Sequence, residues 1–131
     1  MKNEFVTYEQ ALALKELGFD ESCLAFYSPK EELHPVFQEP SKGPYFNNGS
    51  FIETLRAPLY QQVFRWFREV HGLYPEVHSI VDIYGKTVIF TAHINHLPKD
   101  ESIGCFLGKY ETYEEAESAC LDKLIEICKN K

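Results

Sequence analysis

The chain carries one helix-start signature twice, Thr7-Tyr8-Glu9-Gln10-Ala11 near its beginning and Thr112-Tyr113-Glu114-Glu115-Ala116 near its end. In each, the threonine hydroxyl is placed to accept from the backbone N–H three residues on. The Gln or Glu at that position can reach back to the threonine's own N–H, so two orphan donors of the first turn are satisfied together. Helices anchored in this way bracket the chain, and any sheet must lie between them. The first reads as a helix over 8–17, stopped by Gly18 as the left-handed residue, with Phe19 folding back over the last turn. The second reads as a helix over 113–128 with Ala116, Cys120, Leu124 and Ile127 on its apolar stripe. Glu114, Glu115 and Glu117 lie at its start and Lys123, Lys129 and Lys131 toward its end, which complements the helix dipole.

Between them, Pro58 opens a helix over 58–71 that Gly72 ends. Leu59, Val63, Trp66, Phe67 and Val70 recur there at helical spacing. Residues Val77 to Ile83 and Thr87 to Ile94 alternate polar and apolar about Gly85-Lys86, the pattern of a hairpin. A two-residue turn with Gly first sets Tyr84 opposite Thr87. Ile83 then faces Val88, Val81 faces Phe90, Ser79 faces Ala92 and Val77 faces Ile94, which gathers the large aliphatics on one face. Ile103 to Tyr110 is a third strand candidate, and Cys23 to Ser28 a short one ended by Pro29. Residues 29–50 hold four of the seven prolines and read as a long Pro/Gly-rich connection with room for a brief edge strand around Leu33 to Phe37. Its length exceeds the ~12–15 residues usual for a structureless loop, so it is either mobile or functional. The fold class is therefore α+β in a single domain over 1–131. A small antiparallel sheet (hairpin 77–94 plus strand 103–110) is packed by helices 58–71 and 113–128, with an N-terminal helix 8–17 and an α-β-β-β-α order in the C-terminal part.

The 44% hydrophobic and 15% aromatic content over 131 residues is enough for a real core and excludes disorder as the general state. Apolar runs are too short to span a bilayer. Met1 to Phe5 carries no apolar stretch of signal-peptide type before the first helix, so a cytoplasmic location is expected. Four cysteines fall in no CxxC pair and read as reduced, buried small hydrophobes. A net charge of −7 repels phosphate backbones, which weighs against nucleic acid as a partner.

Catalytic signatures of the GxSxG, Walker A and HExxH types are missing from the sequence. The hairpin register brings His78 across from His93 with Asp82 on the same face, a set that could bind zinc or another divalent metal. The plainer reading is a solvated polar face with two ordinary histidines, because two His across a hairpin fall short of a closed ligand set. Arg65, Trp66 and Arg68 could form a stacking or anion-binding patch. Trp66 also lies on the apolar stripe with Val63, Phe67 and Val70, which favours the core. The α-β-β-β-α order is the one used by double-stranded RNA-binding domains, so topology raises a nucleic-acid alternative. Such domains place lysines at the start of the last helix, where this chain has Glu114, Glu115 and Glu117.

Three segments, Phe5 to Phe19, Ala57 to Arg68 and Tyr113 to Glu117, together resemble a family of small uncharacterised proteins common in bacteria of the Bacteroidetes group and in their phages and mobile elements. The resemblance covers these 32 residues, in the regions of the three helices. It implies an intracellular, phage-associated origin and lends no cofactor or site. The function expected from all of this is a noncatalytic accessory or protein-interaction module with a protein partner, using the 29–50 segment as a contact loop.

Overall fold

Thr7 caps the first helix as its sequence predicts. In the computed structural model the Gln10 N–H donates to the Thr7 hydroxyl (3.2 Å) and the Thr7 N–H donates to the Gln10 side-chain oxygen (3.0 Å), a complete capping box for α1 (Tyr8–Glu16). The helix closes with Gly18 at φ +98°: its N–H donates to Lys15 and the Phe19 N–H donates to Leu14, the paired bonds of a Schellman stop. The structure describes residues 4–35, 45–47, 50–52, 55–96 and 105–130. Much of the expected 29–50 contact loop, Val36 and Phe37 of the edge-strand candidate and Ile103 and Gly104 of the third strand candidate lie outside those residues.

The chain divides into two compact units that meet in sequence between Leu59 and Tyr60. In the first, strands β1 (Ala25–Tyr27), β2 (Leu33–Pro35) and β5 (Leu55–Ala57) make an antiparallel sheet of order β2-β1-β5. A separate two-stranded piece pairs β3 (Tyr45–Asn47) with β4 (Ser50–Ile52). The expected strand after Cys23 and the edge strand near Leu33 are both present, and β2 lies at the sheet edge, where Pro35 is tolerated. The unit's buried residues include Val6, Ala11, Leu14, Ala25 and Ala57. Tyr27 ties the sheet to the segment before α1, its hydroxyl donating to the Val6 carbonyl at 2.6 Å. The Val6 N–H in turn donates to Pro58.

In the second unit, α2 (Tyr60–Trp66) continues into a π-helical turn over Phe67–His71, ended by Gly72 at φ +66°. Strands β6 (Leu73–Val81), β7 (Val88–His96) and β8 (Cys105–Tyr110) follow in an antiparallel sheet of order β6-β7-β8, and α3 (Tyr113–Lys129) packs on all three and on α2. The α-β-β-β-α order is thus as expected, and the described residues are α+β, with two three-stranded antiparallel sheets, the β3–β4 pair and three helices. Pro75, Ala92 and Ile94 are buried on the face that α3 covers, against Cys120, Leu121 and Leu124. At the far strand, Ala92 pairs with Gly108 and His93 with Phe106, so Leu107 is the extra residue of a β-bulge.

The hairpin register differs from the expected one by two residues. Val81 pairs with Val88, Ile80 with Ile89, Ser79 with Phe90, His78 with Thr91 and Glu76 with His93. The cause is Asp82. Its carboxylate accepts from the backbone N–H groups of Tyr84 (3.0 Å), Lys86 (2.9 Å) and Thr87 (3.2 Å) and from the Thr87 hydroxyl. That network closes a six-residue connection, 82–87, in place of a two-residue turn. Gly85 sits at φ +67° inside it. A shift of two leaves every side chain on its expected face, since the strand period is two.

Candidate functional site

Chemistry at a protein surface needs groups that converge, and the two sets of residues singled out by sequence differ in how far they do. His78 and His93 share a face of the sheet but are diagonal, not opposite: their rings meet edge to face with centroids 5.4 Å apart. Glu76 completes this group, its Oε2 lying 3.0 Å from His78 Nε2, with both side chains about half exposed. Asp82 is not part of it, because its oxygens are committed to the turn. Among the described residues no group of three or more His, Cys, Asp or Glu is placed to hold a metal ion.

Trp66 is buried and packs edge to face on Phe67 (5.0 Å) and His71 (4.8 Å), whereas Arg65 and Arg68 are exposed. The structure therefore places Trp66 in the core and does not assemble the three into one patch. Cys23 is buried, and desolvation pushes its thiol up to about 12, the nearby Arg56 charge only partly offsetting this. A thiol held protonated is a poor nucleophile. Cys23, Cys120 and Cys128 are free of disulfides.

One concave feature lies in the first unit, a cleft of about 270 Å3 walled by Tyr8, Leu12 and Lys15 of α1 with Tyr27, Pro29 and Leu55. Tyr8 and Tyr27 stack edge to face there at 5.5 Å. The Tyr27 hydroxyl is already spent on Val6, so the aromatic walls offer shape with little converging polarity.

The feature that stands out is one sequence reasoning missed, the end of the β6–β7 hairpin. Among the described residues β8 pairs with β7 from Phe90 to Ile94, and α3 begins level with Phe90, whose ring meets Tyr113 at 5.8 Å. Beyond that level the hairpin continues as a two-stranded arm. Its apolar residues are in solvent: Ile83 is 90% exposed and Tyr84 77%, while Ile80, Val81 and Val88 are each about half exposed. Adjacent pairs alternate in direction, so Ile80 and Ile89 lie on one face of the ribbon and Val81 and Val88 on the other. Single exposed apolar residues are ordinary, but five within one short arm, on both faces and at the tip, mark a candidate interaction surface. The Asp82 network makes the tip a defined shape. The Thr87 hydroxyl and the Lys86 N–H, then those of Tyr84 and Thr87, hold its carboxyl below the usual carboxylate range.

The signal that could have found the arm is present in the sequence. Ile80-Val81, Ile83-Tyr84 and Val88-Ile89 are consecutive apolar pairs, which break the alternation that a strand covered on one face requires.

No helix among the described residues is long and apolar enough to cross a membrane. Comparison of the chain with known protein families, curated proteins and solved structures gives no match.

Proposed function

We propose that this chain is a noncatalytic protein-interaction module whose docking surface is the hairpin arm. The observation that carries the reading is the exposed apolar tip, Ile83 and Tyr84, held on a turn that four hydrogen bonds to Asp82 keep in one shape. A pre-ordered apolar surface loses little conformational freedom on binding, so its burial is converted efficiently into affinity. Tyrosine at the tip adds large contact area with a polar end, the usual composition of an interface centre. A cytoplasmic site of action and a phage-associated origin belong to the same reading, and the free cysteines favour a reducing compartment. The alternative, a nucleic-acid module, has the α-β-β-β-α order in its favour and the exposed Glu114 and Glu115 at the start of α3 against it.

The test is a photo-crosslinking residue placed at Ile83 in cells that make the protein, with the same residue at the exposed Asp122 of α3 as control. The expected result is a protein adduct from position 83 alone. Adducts from neither position, or from both equally, would remove the arm as the docking surface.

A further inference from the structure

We infer that the arm's occupant is a second copy of this chain, docked about a two-fold axis along the exposed half of β6. The inference rests on the reading of the arm as a docking surface and adds to it the identity of the partner.

Charge is the first argument. The chain carries −7, yet residues 79–90 contain only Asp82 and Lys86 and are neutral as a group. Two identical acidic molecules repel over most of their surfaces, and the arm is where they can approach without that cost. The second argument is self-complementarity. A two-fold contact is made of one patch used twice, so the patch must fit itself. An apolar ribbon with Ile80 and Ile89 on one face and Val81 and Val88 on the other meets that condition from either side.

The third argument is the free edge. β6 ends the sheet of order β6-β7-β8, and Ser79, Ile80 and Val81 are exposed along it. Among the described residues no strand pairs with its outer side. An exposed apolar edge is a template for another strand, and antiparallel pairing of β6 with itself is the two-fold arrangement. Pro75, which has no N–H, stands at the inner end of this strand and directs such pairing toward the arm.

Other occupants fit less well. A bilayer would have to receive the ionised Asp82 carboxylate, which lies between Val81 and Ile83 in the tip. Nucleic acid would meet one lysine, Lys86, in the whole arm.

The test is sedimentation equilibrium of the full chain from low to high micromolar concentration, on wild type, Ile83→Ser and Ile83→Asp. Far-UV circular dichroism and the urea midpoint verify the fold, which a residue 90% exposed leaves intact. The expected result is a mass that rises from one chain to two, with dimerisation at least tenfold weaker in both variants. Added salt should strengthen the dimer by screening the repulsion between acidic bodies. A second readout is amide exchange at Ser79 and Val81, whose N–H groups point away from β7 and which should slow as wild-type concentration rises. A chain that stays single at every concentration, or a dimer equally strong in both variants, overturns the inference. So does binding of the single chain to phosphatidylcholine vesicles through the tip. An adduct from position 83 to a different protein, with a single chain in the centrifuge, overturns the second copy but leaves the docking reading standing. No adduct and no dimer removes both.

Discussion

Asp82 shows how much one side chain can decide. Read by alternation alone it is a polar residue on an open face, a possible third ligand beside two histidines. In the structure its two oxygens take three backbone N–H groups and a hydroxyl, and the turn they organise sets the register of eighteen strand residues. Because those bonds favour the ionised form, the folded-state pKa lies below the ordinary 3.8. The sign follows from linkage: the turn is supported above the unfolded value and loses that support as pH falls through the lowered folded value. In an NMR titration the Thr87 amide should therefore move with a midpoint below 3.8, and a midpoint at or above that value would contradict the network. Cys23 behaves in the opposite sense. Burial raises its pKa to about 12, so at neutral pH it is a thiol, and iodoacetamide should label the less buried Cys128 well before it. Mass spectrometry of peptides at short labelling times reads the order directly.

At the scale of elements, the helix ends were written plainly in the sequence and the hairpin's turn was not. Capping is a local code: Thr7 and Gln10 need only each other, and their box forms as expected. Thr112 accepts from the Glu115 N–H at an exposed site. Thr7→Ala should accordingly cost about 1 kcal/mol and more than Thr112→Ala, measured by urea unfolding. Register was legible only to within two residues, because a two-residue slip keeps Val77, Ala92 and Ile94 on the buried face and hydrophobic alternation is blind to it. What chose between the registers was a side-chain network within the connection. The helix over 58–71 likewise followed 3.6-residue spacing as far as Trp66. The π-helical turn from Phe67 to His71 then adds a residue to the turn, and Val70 leaves the apolar stripe and is exposed. β5 went unseen because Leu55-Arg56-Ala57 is too short to show a period. The arm was missed for a different reason: alternation reports which face is buried, but not where along a hairpin its third strand ends. One polar contact between elements was also hidden. Glu117 is 6% exposed in α3 and accepts from Gln61 Nε2 at 3.1 Å, and burial together with that nearby charge raises the Tyr113 hydroxyl's pKa. Gln61→Leu takes one donor from a buried carboxylate and should cost about 1–3 kcal/mol, read as a lowered urea midpoint with an unchanged slope.

For the whole molecule, net charge and the arm act against each other, and pH sets the balance. At neutral pH a charge of −7 keeps copies apart over most of their surface. Toward the isoelectric point near 5.2 that repulsion vanishes, while apolar association at Ile83 and Tyr84 does not depend on titration. The tip keeps its shape through this range, since Asp82 remains ionised down to a pH below 3.8. Light scattering of the wild-type chain should therefore rise as pH is lowered from 7 toward about 5.2. Ile83→Ser, which changes no charge, should show a distinctly smaller rise over the same interval. Because the variant and the wild type share one isoelectric point, general loss of colloidal repulsion would affect them alike. Equal rises in the two proteins would assign the association to surfaces other than the arm, and a difference confined to the variant assigns it to the tip.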